Sequence, residues 1–169
     1  MKRLISFCIL VCVFIIFAKG GFAMEITSPA FKNKTSIPEK FTCQGDDFSP
    51  PLAIKDVPSD TQSLVLIVND PDASSGSWDH WLVYNISPQA KVINENTVPG
   101  IQCVNDSGVK EWGGPCPPSG AHRYFFKIYA LDIMLPALSE RAGKDDLLRA
   151  MEGHILDTAE LMGLYKKSF

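Results

Sequence analysis

The sequence has 169 residues, 46% of them apolar, with 16 basic and 19 acidic side chains and a net charge of −3. Residues 1–23 hold Lys2, Arg3 and Lys19 and no acid, so residues 24–169 carry 13 basic and 19 acidic residues, a charge of −6. An acidic chain of this length is suited to one domain with a real core. The charge argues against general nucleic-acid binding or docking on anionic lipid.

Residues 1–23 read as a signal peptide rather than as part of the fold. Lys2 and Arg3 form a basic start, Leu4 to Ala18 is uncharged and apolar, and Gly21-Phe22-Ala23 is a small-x-small cleavage site. The apolar run is shorter than the roughly 20 residues that a spanning helix needs. The mature domain is therefore expected at 24–169, starting near Met24, in a periplasmic or secreted setting and without stable membrane insertion. Cys8 and Cys12 fall inside the apolar run and read as filler.

Glu25 to Phe31 and Leu52 to Val57 are weak strand candidates. Ser63 to Asn69 is a continuous β-branched and leucine run, expected to be a strand buried on both faces. Trp81 to Ile86 and Arg123 to Leu131 are further strands. Loops rich in Pro, Gly, Asp and Ser separate them at Phe41 to Pro51, Asp70 to Asp79, Asn105 to Gly108 and Glu111 to Ala121. Asp145 to Met162 reads as a helix, because Leu147, Leu148, Met151, Ile155, Ala159 and Met162 recur at helical spacing and Gly163 supplies a stop. Many strands and one late helix predict a mainly β, antiparallel sandwich-like fold with a C-terminal helix packed against it.

Three cysteines follow the leader: Cys43, Cys103 and Cys116. An oxidising compartment favours pairing. Cys43 and Cys116 both lie in turn-rich loops, so they are expected to form a disulfide, with Cys103 free. The clustered Cys/His spacing of a zinc site is absent.

Polar residues capable of chemistry sit at the ends of the predicted strands. Asp70 ends one strand and can orient an imidazole. Asp70-Pro71-Asp72-Ala73 also reads simply as a turn, with Asp72 stabilising it. His80 precedes a second strand, with Trp78 and Trp81 either walling a pocket or filling core. His122 and Tyr124 stand two apart at the start of a third strand and therefore share a face, an imidazole beside a phenol. Arg123 points the other way and reads as an ion-pair residue. Between these segments, Gly113 and Gly114 allow close backbone approach and can offer amides. Pro115, Pro117 and Pro118 stiffen the loop. His154 reads as a mid-helix structural or surface residue.

The ordered set Phe41-Thr42-Cys43-Gln44-Gly45, Ser49-Pro50-Pro51-Leu52, Asp70-Pro71-Asp72-Ala73, His80-Trp81, Gly113-Gly114-Pro115-Cys116-Pro117-Pro118 and His122-Arg123-Tyr124-Phe125-Phe126 resembles the phosphatidylethanolamine-binding (Raf-kinase-inhibitor-like) protein family, most of all its bacterial secreted branch. The resemblance implies a β-sandwich-like fold with a cavity for phosphate, phosphoryl head groups or carboxylates. It matches Asp70, His80, His122 and Tyr124 to ligand-binding positions and Gly114, Pro115 and Trp78 to the cavity wall, with Asp72 beside them. Ser74 stands where many relatives carry proline. Asp79 adds an acid next to His80, which either raises the imidazole's pKa or competes with an anionic ligand.

The reading that follows is an exported binding protein for one small anion, not an enzyme, with no cofactor and no metal. Asp70 orients His80, while His122 and Tyr124 donate to the anion. Three rivals use the same residues: a protein-interaction or inhibitor module that captures an anionic group of a partner, a hydrolase using Asp70, His80 and His122 with or without a metal, and a Cys116–His122 nucleophile pair. A homodimer is compatible with each. Neither a G-x-S-x-G elbow nor a phosphate-binding G-x-x-x-x-G-K-[ST] loop occurs.

Overall fold

The computed structural model describes residues 23–168; residues 1–22, which hold nearly all of the expected signal peptide, lie outside the described residues. In chain order the elements are β1 (Glu25–Thr27), β2 (Thr35–Ser36), β3 (Leu52–Lys55), β4 (Ser63–Asp70), β5 (Trp78–Ile86), β6 (Val92–Ile93), β7 (Ile101–Gln102), β8 (Ala121–Leu131), α1 (Lys144–Met151) and β9 (Ile155–Lys166). A short 3-10 turn covers Glu39–Phe41.

β4 explains the architecture. Every one of its residues is buried, as its unbroken apolar run requires. Leu64, Leu66 and Val68 face a core shared with Ile26, Leu52, Ile54 and Phe126. Val65 and Ile67 face the opposite way, against Leu135, Ala142, Leu147 and Met151. A sheet of order β2-β9-β8-β4-β5-β7 thus has a small antiparallel sheet, β1-β3-β6, on one side. The other side is covered by α1 and the segment leading to it. Among the described residues only the short β2–β9 pairing is parallel. The fold is the expected mainly β sandwich with one helix packed against it.

The helix itself is a correction. It spans Lys144–Met151 and not Asp145 to Met162. Gly153 adopts a left-handed φ of 80°, open to glycine at little cost, and turns the chain. Ile155–Lys166 then runs as β9, paired antiparallel with β8 from Ala121↔Lys166 to Leu131↔Ile155. Leu161, Gly163 and Tyr165 alternate inward along it, a period of two. Gly163 is no helix stop: a Cβ there would stand 2.4 Å from Ile37 Cγ1, so the small residue serves packing. His154 is not mid-helix either. It lies between α1 and β9, and its Nδ1 meets Asp132 Oδ1 at 2.9 Å.

Cys43 and Cys116 are disulfide-bonded, with Cα atoms 5.5 Å apart, and Cys103 is free and buried. The bond ties the 41–47 turn to the Gly113–Pro118 loop. Two further contacts reinforce it: the Cys43 amide donates to the Pro115 carbonyl (3.2 Å) and the Gly114 amide to Asp47 Oδ1 (2.8 Å).

Candidate functional site

Antiparallel pairing brings the C-terminal end of β4 beside the N-terminal ends of both neighbours, β5 and β8. Asp70 therefore lies next to Trp78, while Asn69 pairs with Phe125. This topology places polar residues from three distant stretches of sequence around one cavity of about 420 Å³. Asp70, Trp78, His80, Gly114, His122 and Tyr124 all line it. Asp72 and Pro115, also candidates, do not.

A bulge aims His80. β4 pairs Val68 with Trp81 but Asn69 with Asp79, which leaves His80 without a partner in the ladder. An extra residue of this kind re-aims its side chain. The His80 carbonyl, released from the ladder, accepts from the Gly113 amide (3.2 Å) and from Asn105 Nδ2 (3.3 Å). Asn105 Nδ2 also donates to the Glu111 carbonyl (3.0 Å), and its Oδ1 accepts from the Ser107 and Val109 amides. A single buried amide side chain thus organises the rim, a role that an Asn in a polar loop does not announce in sequence.

The hydrogen bonds correct the expected division of labour. Asp70 does not orient His80. His122 Nδ1 donates to Asp70 Oδ2 (2.7 Å), while Asp70 Oδ1 accepts from the Asp72 amide (2.8 Å). His80 Nδ1 donates instead to the Gly113 carbonyl (2.6 Å). The His80 and Tyr124 rings meet edge-on, with centroids 5.2 Å apart. His80 Nε2 and the Tyr124 hydroxyl are both buried and have no hydrogen-bond partner. Such groups are uncommon in folded proteins, because leaving one unsatisfied costs about 1–3 kcal/mol.

Burial lowers the His80 pKa below its ordinary value of 6.5, despite the Gly113 carbonyl and the charges of Asp70, Asp79 and Asp106. The ring is therefore neutral at neutral pH. The expected rise from Asp79 is outweighed, and Asp79 is not aimed at the cavity. Its carboxylate takes Lys144 Nζ at 2.7 Å, and burial raises its own pKa. Burial, the Asp70 charge and the approach of the hydroxyl toward that carboxylate, beyond full hydrogen-bond geometry, push the Tyr124 hydroxyl far up, so it remains a donor. Asp72 serves the turn: Arg123 holds it through Nε (2.8 Å) and Nη2 (2.6 Å), which lowers its carboxyl to about 2.

The glycines also act differently from expectation. The Gly113 and Gly114 amides are already committed, to the His80 carbonyl and Asp47. A Cβ on Gly114 would stand 2.1 Å from Asp47 Oδ1 and 2.9 Å from the Phe41 carbonyl oxygen. Close approach of the 41–47 turn, rather than of a ligand, demands glycine there. Trp81 belongs to the core, with its Nε1 donating to Gln102 (2.7 Å). Cys116 lines the cavity as half of a disulfide, so no thiol is present to act as a nucleophile.

Residues 27–166 match the family model described as phosphatidylethanolamine-binding protein. The chain belongs to the phosphatidylethanolamine-binding protein family. It is 47% identical over 152 residues to a UPF0098 protein of Methanothermobacter thermautotrophicus, covering 85% of this chain and 99% of the relative. A UPF0098 protein of Chlamydia pneumoniae is 48% identical over 151 residues, covering 86% and 100%. Among solved structures, a phosphatidylethanolamine-binding protein homologue of Chlamydia trachomatis superposes with a TM-score of 0.83 at 47% identity, over 86% of this chain and 99% of that one. E. coli YbcL, described as a new member of the mammalian PEBP family, gives 0.80 at 27% identity, over 87% and 100%. As a phosphatidylethanolamine-binding protein family member, the chain carries its cavity at the junction of β4, β5 and β8. Among the described residues, no group of three or more His, Cys, Asp or Glu is placed to hold a metal ion. Asp70 already spends one oxygen on His122 and the other on the Asp72 amide.

Proposed function

We propose that this protein binds one small phosphoryl or carboxylate anion in the cavity between β4, β5 and β8 and does not turn it over. The observation that carries this reading is the pair of buried, unpartnered polar atoms, His80 Nε2 and the Tyr124 hydroxyl, beside the Asp70–His122 pair. Groups this costly to leave unmade are satisfied when a polyoxygen ligand supplies their partners. At about 420 Å³ the cavity holds a phosphate group or an acetate-like carboxylate with room left for a substituent on it. Among the described residues, the lining serines Ser74, Ser75 and Ser107 make no hydrogen bond to either imidazole that would activate them, which favours binding over hydrolysis.

Calorimetric titration with inorganic phosphate tests the reading. Affinity should be higher at pH 5.5 than at pH 8. His80 protonates only below its ordinary 6.5, and a doubly protonated ring turns from acceptor to donor at Nε2. His122→Ala should lose about 1–3 kcal/mol of binding, the range for a hydrogen bond to a charged group. Unchanged affinity in that variant would remove the cavity from consideration.

We also propose export, with a mature chain starting near Met24. The leader pattern supports it, as does the Cys43–Cys116 bond, since disulfides persist in oxidising compartments. N-terminal sequencing of native protein should begin at or near Met24. A purified native chain that retains Leu4 to Ala18 would overturn export with cleavage.

A further inference from the structure

We infer that Asp157 is the receptor for an α-ammonium group created at Met24 by removal of the leader, so that a cut between Ala23 and Met24 adds an ion pair between the first residue of the mature chain and β9. This inference rests on the export reading above, not on the anion cavity, and gives the cut a role in stabilising the fold.

Asp157 is an acid on an otherwise apolar side of its strand. Leu161, Gly163 and Tyr165 alternate inward along β9, and the same period puts Ala159 and Asp157 on that side. Ala159 packs against the core, and Asp157 is half-buried at its margin. A carboxylate in such a place calls for a partner. None of the side-chain ion pairs among the described residues includes it. Its Oδ1 accepts from the Thr158 amide at 2.7 Å. Its Oδ2 accepts from the Met24 backbone nitrogen at 3.0 Å, across a sequence separation of 133.

That nitrogen stands where burial begins. Ala23 is exposed, whereas the Met24 side chain is 4% exposed and belongs to the core with Ile26 and Phe31. β1 follows at once, with Glu25 paired to Lys55. The nitrogen is thus held by the buried side chain of its own residue and by the strand after it. Gly21-Phe22-Ala23 marks for cleavage the bond that ends on this same atom. A cleavage pattern near the start of the chain and a carboxylate near its end therefore meet at one nitrogen.

In the uncut chain this nitrogen is an amide with one hydrogen. Hydrolysis by a leader peptidase breaks the Ala23–Met24 bond. The oxygen of water goes to the Ala23 carboxylate, and both protons go to the Met24 nitrogen, giving –NH₃⁺. A neutral donor becomes a cationic one against the same oxygen, and charge-assisted hydrogen bonds are roughly twice as strong. The other charged groups nearby face elsewhere: Glu25 of β1 toward Lys55 (3.9 Å), Glu160 of β9 toward Lys127 (3.7 Å) and His154, just before β9, toward Asp132 (2.9 Å). Lys32 lines the same cleft between β1 and β9. A paired ammonium keeps its proton to higher pH than a free α-amine. The added stability is therefore fully present below the ordinary α-amine pKa and is lost as pH rises through the raised one.

Wild-type and Asp157→Asn proteins, purified after export, would be sequenced at the N-terminus and labelled at pH 7.5 with limiting acetic anhydride, which attacks only unprotonated amines. The wild type should start at Met24, and its α-amine should react at least about tenfold more slowly than that of Asp157→Asn, as one pKa unit of retained proton requires. Wild-type protein acetylated selectively at the α-amine in urea at mildly acid pH, then refolded, should melt about 2–4 °C below untreated protein. The acetyl group restores the amide of the uncut chain, whose Ala23 is exposed, so it removes the charge without a clash. The same treatment should leave the melting temperature of Asp157→Asn unchanged. Should that variant fail to fold, the wild-type melting difference remains as the test. Equal labelling rates in the two proteins, or no change in wild-type melting on acetylation, would overturn the ion pair and leave export standing. So would an exported chain that starts at another residue. A native chain that retains Leu4 to Ala18 would overturn export with cleavage, and this inference with it.

Discussion

Breaking the Cys43–Cys116 bond should lower unfolding free energy by about 2–4 kcal/mol, seen as a fall of roughly 5–15 °C in melting temperature. The bond closes a loop with a sequence separation of 73, so its loss returns considerable freedom to the unfolded chain. It also joins the 41–47 turn to the loop that carries the Gly113 carbonyl, the acceptor that holds His80 Nδ1. Phosphate binding should therefore weaken along with stability in a Cys43→Ser, Cys116→Ser double variant. Cys103, buried against Leu82 and Tyr84, should resist thiol reagents until the protein unfolds. Urea denaturation with and without reductant, followed by thiol counting in the native state, would measure both effects. An unchanged midpoint after verified reduction would show that the bond constrains little.

Asp70→Ala should cost about 3 kcal/mol of stability, because the His122 Nδ1–H and the Asp72 amide both lose their acceptor, at about 1–3 kcal/mol for each group left unsatisfied. Asp70 is 4% exposed and His122 is 8% exposed, so water reaches neither easily. The same change frees the His122 ring to rotate or to switch tautomer, and phosphate affinity should fall with it. Asp70→Asn offers one oxygen in place of two and should fall between wild type and alanine in stability. Denaturant melts of the three proteins, each paired with a phosphate titration, would test this ordering. Full stability in the alanine variant would mean that the Asp70–His122 pair holds nothing in place.

Much of this protein follows from local pattern. The unbroken run from Ser63 to Asn69 has no polar face, so it had to be a central strand covered on both sides. The two-residue spacing of His122 and Tyr124 places both on one face of any strand. Two loop cysteines beside the same polar cluster were correctly expected to pair. Periodicity misled after Met151. Ile155, Ala159 and Met162 match helical spacing by coincidence, whereas Leu161, Gly163 and Tyr165 match the period of a strand. The long pairing with β8 decided between them. Gly153 was the local warning, with a backbone conformation that ends the helix.

Sequence alone determined which residues meet at the cavity, because strand ends that carry Asp70, His80 and His122 converge once β4 is central. Only the tertiary structure decided how they are wired. The bulge at Asp79–Trp81 swings His80 toward the Gly113 carbonyl, and Asp70 is left to His122. Asp79 and Asp72, adjacent in sequence to site residues, turn instead to Lys144 and Arg123. Which acceptor each ring nitrogen meets depends on groups some 30 to 50 residues distant along the chain. Hydrogen-bond direction of that kind is set by three-dimensional neighbours, and residue order does not encode it locally.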